Sequence, residues 1–109
     1  MTVKRLIELT GYTPLVLSDP EREIDGGYVG DLLSWVMGRA RAGSAWVTIM
    51  SNLNVVAVAS LADVACVIFA EGVIPDESAV SAARERGVNL ICSPASSFNT
   101  VLAVGELAK

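Results

Sequence analysis

The stretch from Val64 to Cys92 constrains the fold more than any other part of the chain. It begins with an unbroken apolar run, Val64–Ala70, which is typical of a parallel strand that is buried on both faces. Asp76 then places negative charge where a helix begins, and Gly87 is a suitable residue to end that helix. A second apolar run, Val88–Cys92, follows at once. This order predicts a βαβ unit, in which two parallel strands are joined by a right-handed helical crossover.

The rest of the chain continues the alternation of helices and strands. The further elements that we expect are a helix over Val3–Leu9, a strand over Thr13–Ser18, a surface connection over 19–27, a helix from Asp31 to Ala42, a strand over Ala45–Met50, a helix over Leu53–Ala62 and a last helix from Phe98 to about Leu107. The order predicts an α/β fold, with a small parallel or mostly parallel sheet of about four strands and helices on both faces. The 109 residues are expected to form one domain over 1–109.

Two of these helices carry more apolar residues than one core face requires. The expected core face of the first is Leu32, Leu33, Val36, Met37 and Ala40, and that of the second is Leu53, Val56, Ala57 and Leu61. Trp35 then lies off the first stripe, packed against a loop or facing a partner, and Val55 and Val58 are left over on the second helix. Because a helix that is apolar on two sides is buried on two sides, this pattern predicts a homodimer. With 52% hydrophobic residues, some apolar surface is expected to remain outside the core, where a partner subunit would cover it.

Charge and hydropathy exclude several classes of protein. The net charge is −4, and no basic stripe with interleaved aromatic residues is present, so nucleic acid is not an expected partner. No stretch approaches the roughly 18 uncharged apolar residues of a membrane span. Glu8 interrupts the apolar residues that follow the N-terminal basic pair, which argues against a signal peptide. We therefore expect a cytoplasmic protein.

The residue types also limit the chemistry. The chain has no histidine, and its two cysteines, Cys66 and Cys92, fall inside predicted strands as buried, reduced thiols. This removes nucleophilic machinery of the Cys/His and Ser/His kinds and most zinc sites, so no metal is expected. The chain lacks a Gly-x-x-x-x-Gly-Lys phosphate loop, and its glycines at 26, 27 and 30 lack the spacing of a dinucleotide motif. It also lacks the acid cluster and the late lysine of a response-regulator receiver. We expect no enzyme activity and no cofactor.

Ligands of parallel α/β sheets bind at the carboxyl ends of the strands, and polar residues gather there in this sequence. The candidate ligand-binding residues are Asp31, Ser51, Asn52, Asn54, Glu71, Gly72, Ser93, Ser97 and Thr100. Helix N-termini at that edge favour a small anion, but the loops contain no lysine or arginine, and Glu71 would oppose a phosphate. Asp31 is also well placed as a helix N-cap. Two interpretations stay open: a site for a small polar molecule, or a set of helix caps and turn formers.

Several short segments resemble those of a known family. They are Gly27–Ser34, Asn54–Ala59, Ala70–Glu77 and Ser93–Thr100. Together they resemble the DRTGG domain, especially its stand-alone bacterial kind, over most of the chain from 27 to 104. The name-giving motif itself differs, because Ala70-Glu71-Gly72 stands near where Thr-Gly-Gly would be expected.

The resemblance implies a fold similar to the N-terminal domain of HPr kinase/phosphorylase. It also implies a non-catalytic regulatory or dimerising module, of the kind found beside CBS domains in regulated pyrophosphatases, and a signalling setting. We therefore expect a regulatory or protein-interaction module that forms a homodimer and binds a regulatory protein partner. The alternative is a sensor that binds a polar metabolite or nucleotide at the carboxyl ends of the strands.

Overall fold

The computed structural model describes residues 1–108. Its elements, in chain order, are α1 (Val3–Thr10), β1 (Thr13–Val16), β2 (Gly27–Val29), α2 (Leu33–Arg39), β3 (Ala45–Thr48), α3 (Leu53–Ala62), β4 (Cys66–Phe69), α4 (Glu77–Arg86), β5 (Leu90–Cys92) and α5 (Ser97–Leu107). The predicted α/β class is confirmed.

The strands form one five-stranded sheet in the order β1-β5-β4-β3-β2. The predicted βαβ unit is present, because β4 and β5 pair in parallel with Val67 opposite Leu90. Among the strands of residues 1–108, β1 alone is antiparallel. It lies at an edge of the sheet, where a proline such as Pro14 is tolerated because no second neighbour needs its missing N–H. The sheet has five strands rather than about four, because the segment 27–29, which was expected to lead into a helix, is strand β2. A segment of three residues that begins with a glycine is too short to show the alternation of apolar and polar residues that predicts a strand.

Helices cover both faces of the sheet. Side chains alternate across each strand, so Phe69 and Trp46 point towards α2, α3 and α4, while Ile68 points towards α1 and α5. Both cores consist of apolar side chains, and Trp46, Phe69 and Ile68 have no exposed surface. The structure therefore has two hydrophobic cores, one on each side of a buried parallel sheet.

Local signals set most helix ends where the sequence predicts them. Gly11 and Gly87 follow α1 and α4 with φ of 73° and 71°, a left-handed conformation that glycine adopts without strain. Asn52 caps α3 by accepting a hydrogen bond from the backbone N–H of Asn54. These ends are confirmed as predicted.

Helix α2 differs from its prediction at both ends and on its buried face. It spans Leu33–Arg39 rather than 31–42, and its N-cap is Leu32, so the prediction that Asp31 caps it is wrong. Of the expected core face, Val36 is buried, whereas Leu32 and Met37 are 58% and 43% exposed. The reason is that α2 packs mainly against α3, and most of its other residues are exposed.

Helix α3 forms as predicted but turns a different side to the core. Val55, Val56 and Ala59 are buried, while Leu53 and Leu61 are 46% and 72% exposed. Val55 was expected to be left over, and that prediction is wrong. Helix α3 is apolar nearly all round, so its sequence has no polar side that would mark which face is exposed. Packing against α2 and α4 determines which residues are buried.

Helix α5 is the longest, at 11 residues. Thr100 and Val104 are its buried residues, whereas Phe98 and Leu102 are 72% and 52% exposed. No helix within residues 1–108 has both the length and the apolar character needed to cross a bilayer.

Candidate functional site

The predicted site residues follow the carboxyl ends of the parallel strands, as expected. We call them the strand-end rim: Asp31 after β2; Ser51, Asn52 and Asn54 after β3; Glu71 and Gly72 after β4; and Ser93, Ser97 and Thr100 after β5. Their hydrogen bonds decide which of them are free to meet a ligand.

Glu71 joins the end of β4 to the start of α5. Its carboxylate Oε2 accepts a hydrogen bond from the backbone N–H of Ser97 at 2.6 Å, and its own N–H donates to the carbonyl of Ala95 at 2.7 Å. The N–H of Gly72 donates to the carbonyl of Ser93 at 3.1 Å. Glu71 has a left-handed φ of 60°, which is unusual for a residue with a side chain. Its carboxylate thus engages the helix N-terminus that an anionic ligand would otherwise use.

Ser93 and Thr100 form a buried hydroxyl pair. Their oxygen atoms are 2.8 Å apart and both residues have no exposed surface. Ser93 Oγ also accepts from the N–H of Ala95 at 3.2 Å. These hydroxyls hold the loop between β5 and α5 and are closed to a ligand.

Asp31 links the loop after β2 to the end of β3. Its Oδ1 accepts hydrogen bonds from the Thr48 hydroxyl at 2.7 Å and from the backbone N–H of Ile49 at 2.9 Å. Thr48 is 2% exposed, so this bond satisfies a buried hydroxyl. The same hydroxyl accepts from the N–H of Met50 at 3.2 Å. Asp31 therefore fixes two strand ends together.

A few polar side chains of the rim are left without an internal role. Asn52 is used as a cap, and the carbonyl of Ser51 accepts from the N–H of Asp76 at 2.9 Å. Within residues 1–108, the side chains of Ser51, Asn54 and Ser97 make no hydrogen bond. These three are the rim groups that are available to a polar ligand.

Large apolar side chains are more prominent on this edge than free polar ones. Leu32, Ile49, Leu53, Ile74 and Phe98 lie in the loops or first helical turns after the strands, and they are 58%, 45%, 46%, 69% and 72% exposed. Such clustering of exposed apolar side chains is typical of a surface that meets another molecule. No sequence pattern indicated this cluster, because Leu32 and Leu53 were expected on core faces.

Two neighbouring helices on one face of the sheet also expose apolar residues. We call the group formed by Leu32, Trp35, Leu53 and Leu61 the α2–α3 face. Trp35 is 52% exposed, and the guanidinium of Arg39 lies 3.8 Å from the centre of its ring. Trp35 is thus about half exposed, with the Arg39 guanidinium over one side of its ring.

An apolar groove lies on the opposite face, between β2 and α5. We call it the β2–α5 groove. Its larger cavity measures about 250 Å³ and is lined by Gly27, Val29, Val47, Val101, Val104 and Gly105 among others. A second cavity of about 240 Å³ adjoins it at Val29 and Val101 and reaches Ser97, Phe98 and Leu102. No sequence pattern indicated the groove, since β2 itself was not expected.

The reactive side chains of the chain are not placed for chemistry. Burial raises the pKa of the Cys66 thiol to about 12, and it also raises the pKa of Cys92. A thiol with a raised pKa stays protonated at neutral pH and is a poor nucleophile. Within residues 1–108, no three His, Cys, Asp or Glu side chains gather in a group that could hold a metal ion.

Comparison with known proteins places the fold. The chain is similar to the crystal structure of the CBS and DRTGG domains of the regulatory region of a Clostridium perfringens pyrophosphatase, complexed with its activator, diadenosine tetraphosphate. The match has a TM-score of 0.78 and covers 94% of this chain and 45% of that one, at 11% identity. No family model matches the chain. No curated protein matches it either.

The chain therefore shares its fold with part of a regulatory region. It spans less than half of the length of that structure, 45%.

Proposed function

We propose that the chain is a non-catalytic, DRTGG-like regulatory module of the cytoplasm, which acts by binding protein surfaces and forms a homodimer. One observation carries the proposal: most polar side chains of the strand-end rim are used in hydrogen bonds within the protein, while large apolar side chains beside them stay exposed. The likeness to a regulatory region supports it, and so does the resemblance of the sequence to DRTGG domains.

The roles of the acidic residues support the absence of catalysis. A general acid or base must reach a substrate with a free proton-accepting atom. Asp31 and Glu71 are the acids of the rim, and each accepts hydrogen bonds that hold a neighbouring loop. With no histidine in the chain and both thiols protonated, no side chain of the rim is set up as a base or a nucleophile.

The α2–α3 face is the proposed surface of the homodimer. It combines exposed leucines with a tryptophan that lies under an arginine, and these aromatic and guanidinium groups supply much of the binding energy in protein interfaces. Val55 is buried inside the monomer and Val58 is partly buried, so they no longer support the surface. Trp35 remains a residue to test, and Leu61 takes the place of the two valines.

The experiment measures molecular mass by light scattering at about 100 μM, a concentration at which a homodimer of micromolar Kd is almost fully formed. We expect twice the 11.4 kDa of one chain. Trp35→Glu and Leu61→Glu should each give single chains, since burying an unpaired charge costs a few kcal/mol. Ile74→Glu is the matched control: Ile74 is 69% exposed, like Leu61 at 72%, but lies outside the face.

Two results would contradict the proposal in different ways. A wild-type chain that is monomeric at about 100 μM defeats the homodimer. A dimer that survives both Trp35→Glu and Leu61→Glu keeps the homodimer but moves its interface elsewhere.

A small-molecule sensor is the second candidate. The free side chains of Ser51, Asn54 and Ser97 favour it, since amide and hydroxyl groups at helix starts suit a polar metabolite or nucleotide. A ligand in excess over its Kd would raise the melting temperature. Diadenosine tetraphosphate, AMP and ATP are the first probes, and Asn54→Ala and Ser97→Ala should each reduce any rise. If no probe changes the melting temperature, the sensor function loses its support.

A further inference from the structure

The edge of the sheet formed by β2 is open. β2 pairs only with β3, and the C=O of Gly26 and the N–H of Gly30 both bond to that neighbour, at 2.9 and 3.2 Å. Backbone groups alternate in direction along a strand, so the N–H and C=O groups of Gly27 and Val29 point away from the sheet. Within residues 1–108 they have no hydrogen-bond partner.

This edge has one feature that usually protects an edge strand, its short length of three residues, but lacks most of the others. Edge strands are commonly kept very short, blunted by a proline, a charged side chain or a bulge, or covered by a helix or loop. β2 reads Gly-Tyr-Val, pairs with β3 without a shift in register, and leaves Val29 52% exposed. The opposite edge strand, β1, contains both Pro14 and a register shift. The edge at β2 is therefore ready to accept another strand.

The β2–α5 groove lies beside this edge and would receive side chains from an added strand. Such a strand would run about 4.8 Å from β2, with alternate side chains on the α5 side of the sheet. There they would meet Val29, Val101, Phe98 and Leu102, in cavities of about 250 and 240 Å³. Among residues 1–108 no charged side chain lines the groove, so this part of it favours apolar side chains.

The charges at both ends of β2 distinguish two possible binding partners for this edge, a second copy of the chain and a segment of another protein. Asp25 and Asp31 are exposed and lie on either side of the strand. If two β2 strands paired around a two-fold axis at Tyr28, Asp25 of one chain would stand opposite Asp31 of the other at both ends. Like charges that are directly opposite destabilise a strand pair, which disfavours a second copy of this chain. Basic residues at the ends of the incoming strand would instead complement the two carboxylates.

We propose that the β2 edge and the β2–α5 groove bind an extended peptide segment of a partner protein by strand addition. The segment carries apolar residues at alternate positions and lysine or arginine near both ends. Main-chain hydrogen bonds to Gly27 and Val29 hold it, and the groove selects its side chains. This surface is separate from the α2–α3 face, so the proposal does not depend on whether the chain forms a homodimer.

The test titrates the full chain with a capped peptide, Arg-Thr-Val-Thr-Val-Thr-Arg, and follows backbone amides by NMR. We expect the amide signals of Gly27 and Val29 to shift most. The same peptide with glutamate in place of arginine should bind at least about tenfold more weakly, because it meets Asp25 and Asp31 with like charge. A peptide that is N-methylated at alternate residues should also bind at least about tenfold more weakly, because it cannot complete the strand pairing.

A pair of glycine variants tests the groove itself. Gly105 and Gly38 are both helical, and an added Cβ at either would meet no atom within 4 Å, so leucine is expected to be tolerated at both. Gly105→Leu fills the groove and should weaken the peptide at least about tenfold, whereas Gly38→Leu, on α2, should leave its affinity unchanged.

Three outcomes would overturn the proposal. The first is no shift of the Gly27 and Val29 amides at about millimolar peptide, the weak end of specific binding. The second is equal binding of the arginine and glutamate peptides, or equal affinity of the Gly105→Leu and Gly38→Leu variants. The third is a shift of the Gly27 and Val29 amides when the protein alone is concentrated, which would assign the edge to a second copy of the chain.

Discussion

Replacing Asp31 with alanine should destabilise the fold, although Asp31 is exposed and lies where a ligand-binding acid was expected. Its carboxylate accepts from the Thr48 hydroxyl at 2.7 Å and from the Ile49 N–H at 2.9 Å. Thr48 is 2% exposed, so its hydroxyl depends on the Asp31 carboxylate rather than on water for an acceptor. The variant therefore leaves one buried donor without its partner.

The magnitude follows from these two bonds. A hydrogen bond to a charged group is worth about 1.5–3 kcal/mol. The bond from Thr48 should contribute within that range, whereas the bond from Ile49 contributes less, because water can replace the carboxylate at a residue that is 45% exposed. We expect a total loss of about 2–3 kcal/mol, which lowers the melting temperature of a domain of this size by about 10 °C or more.

Urea unfolding at pH 7 measures the loss, and Asp76→Ala is the matched control. Asp76 is another exposed aspartate that stands before a helix, but its side chain makes no capping bond, so its removal should cost about 0.5 kcal/mol. A double-mutant cycle of Asp31→Ala with Thr48→Val should show a coupling of about 1–2 kcal/mol. If Asp31→Ala costs no more than Asp76→Ala, Asp31 does not hold the strand ends together, and its expected role as a ligand-binding acid returns.

Other predictions test the core and the titratable groups. Phe69→Ala should cost about 3–5 kcal/mol in urea unfolding and Phe98→Ala less than about 0.5, because Phe69 has no exposed surface and Phe98 is 72% exposed; similar losses would contradict the core assignment. Cys66, whose pKa burial raises to about 12, should react with thiol reagents at pH 8 only when the chain unfolds, and labelling at the rate of a free peptide thiol would refute its burial. The hydrogen bond from Arg22 lowers the pKa of Asp63 below 3.8, so this pair stabilises the fold above that pH and the contribution is lost as the pH falls through the lowered pKa. Because Asp63 is 65% exposed, Asp63→Asn should cost less than about 1 kcal/mol at pH 7 and nothing near pH 2; a difference that persists at low pH would contradict this.

The parts of the fold that the sequence predicted correctly depend on local signals. The apolar run that contains β4 has the length of a buried strand, and Gly87 ends α4 because it adopts a left-handed conformation. Such signals act within a few residues of chain, so one sequence contains them in full.

The features that it missed depend on packing between distant segments. β2 is a strand only because Gly27, Tyr28 and Val29 pair with β3. A sequence of three residues contains no hydrophobic pattern from which that pairing could be predicted. The buried side of α3 is chosen by its neighbours rather than by its own nearly uniform apolar sequence, which is why Leu61 is exposed.

The candidate site also has features that depend on local sequence and features that depend on contacts between distant segments. The sequence placed polar residues at the carboxyl ends of the strands, where they lie. It could not tell which of them stay free, because Asp31 bonds to a residue 17 positions away and Glu71 to one 26 positions away. The free groups are what remains after such non-local bonds have formed.

The indole N–H signals of the two tryptophans test the central claim most directly, since that claim is association through an exposed apolar face. Trp35 is 52% exposed on the α2–α3 face, while Trp46 has no exposed surface and donates its indole N–H to the carbonyl of Gly30 at 2.9 Å. In an NMR dilution series from about 500 to about 5 μM, which spans the Kd range of a micromolar homodimer, we predict that the Trp35 signal shifts while the Trp46 signal stays constant. A Trp35 signal that does not move over this range, in a protein with the mass of a single chain, would contradict the account.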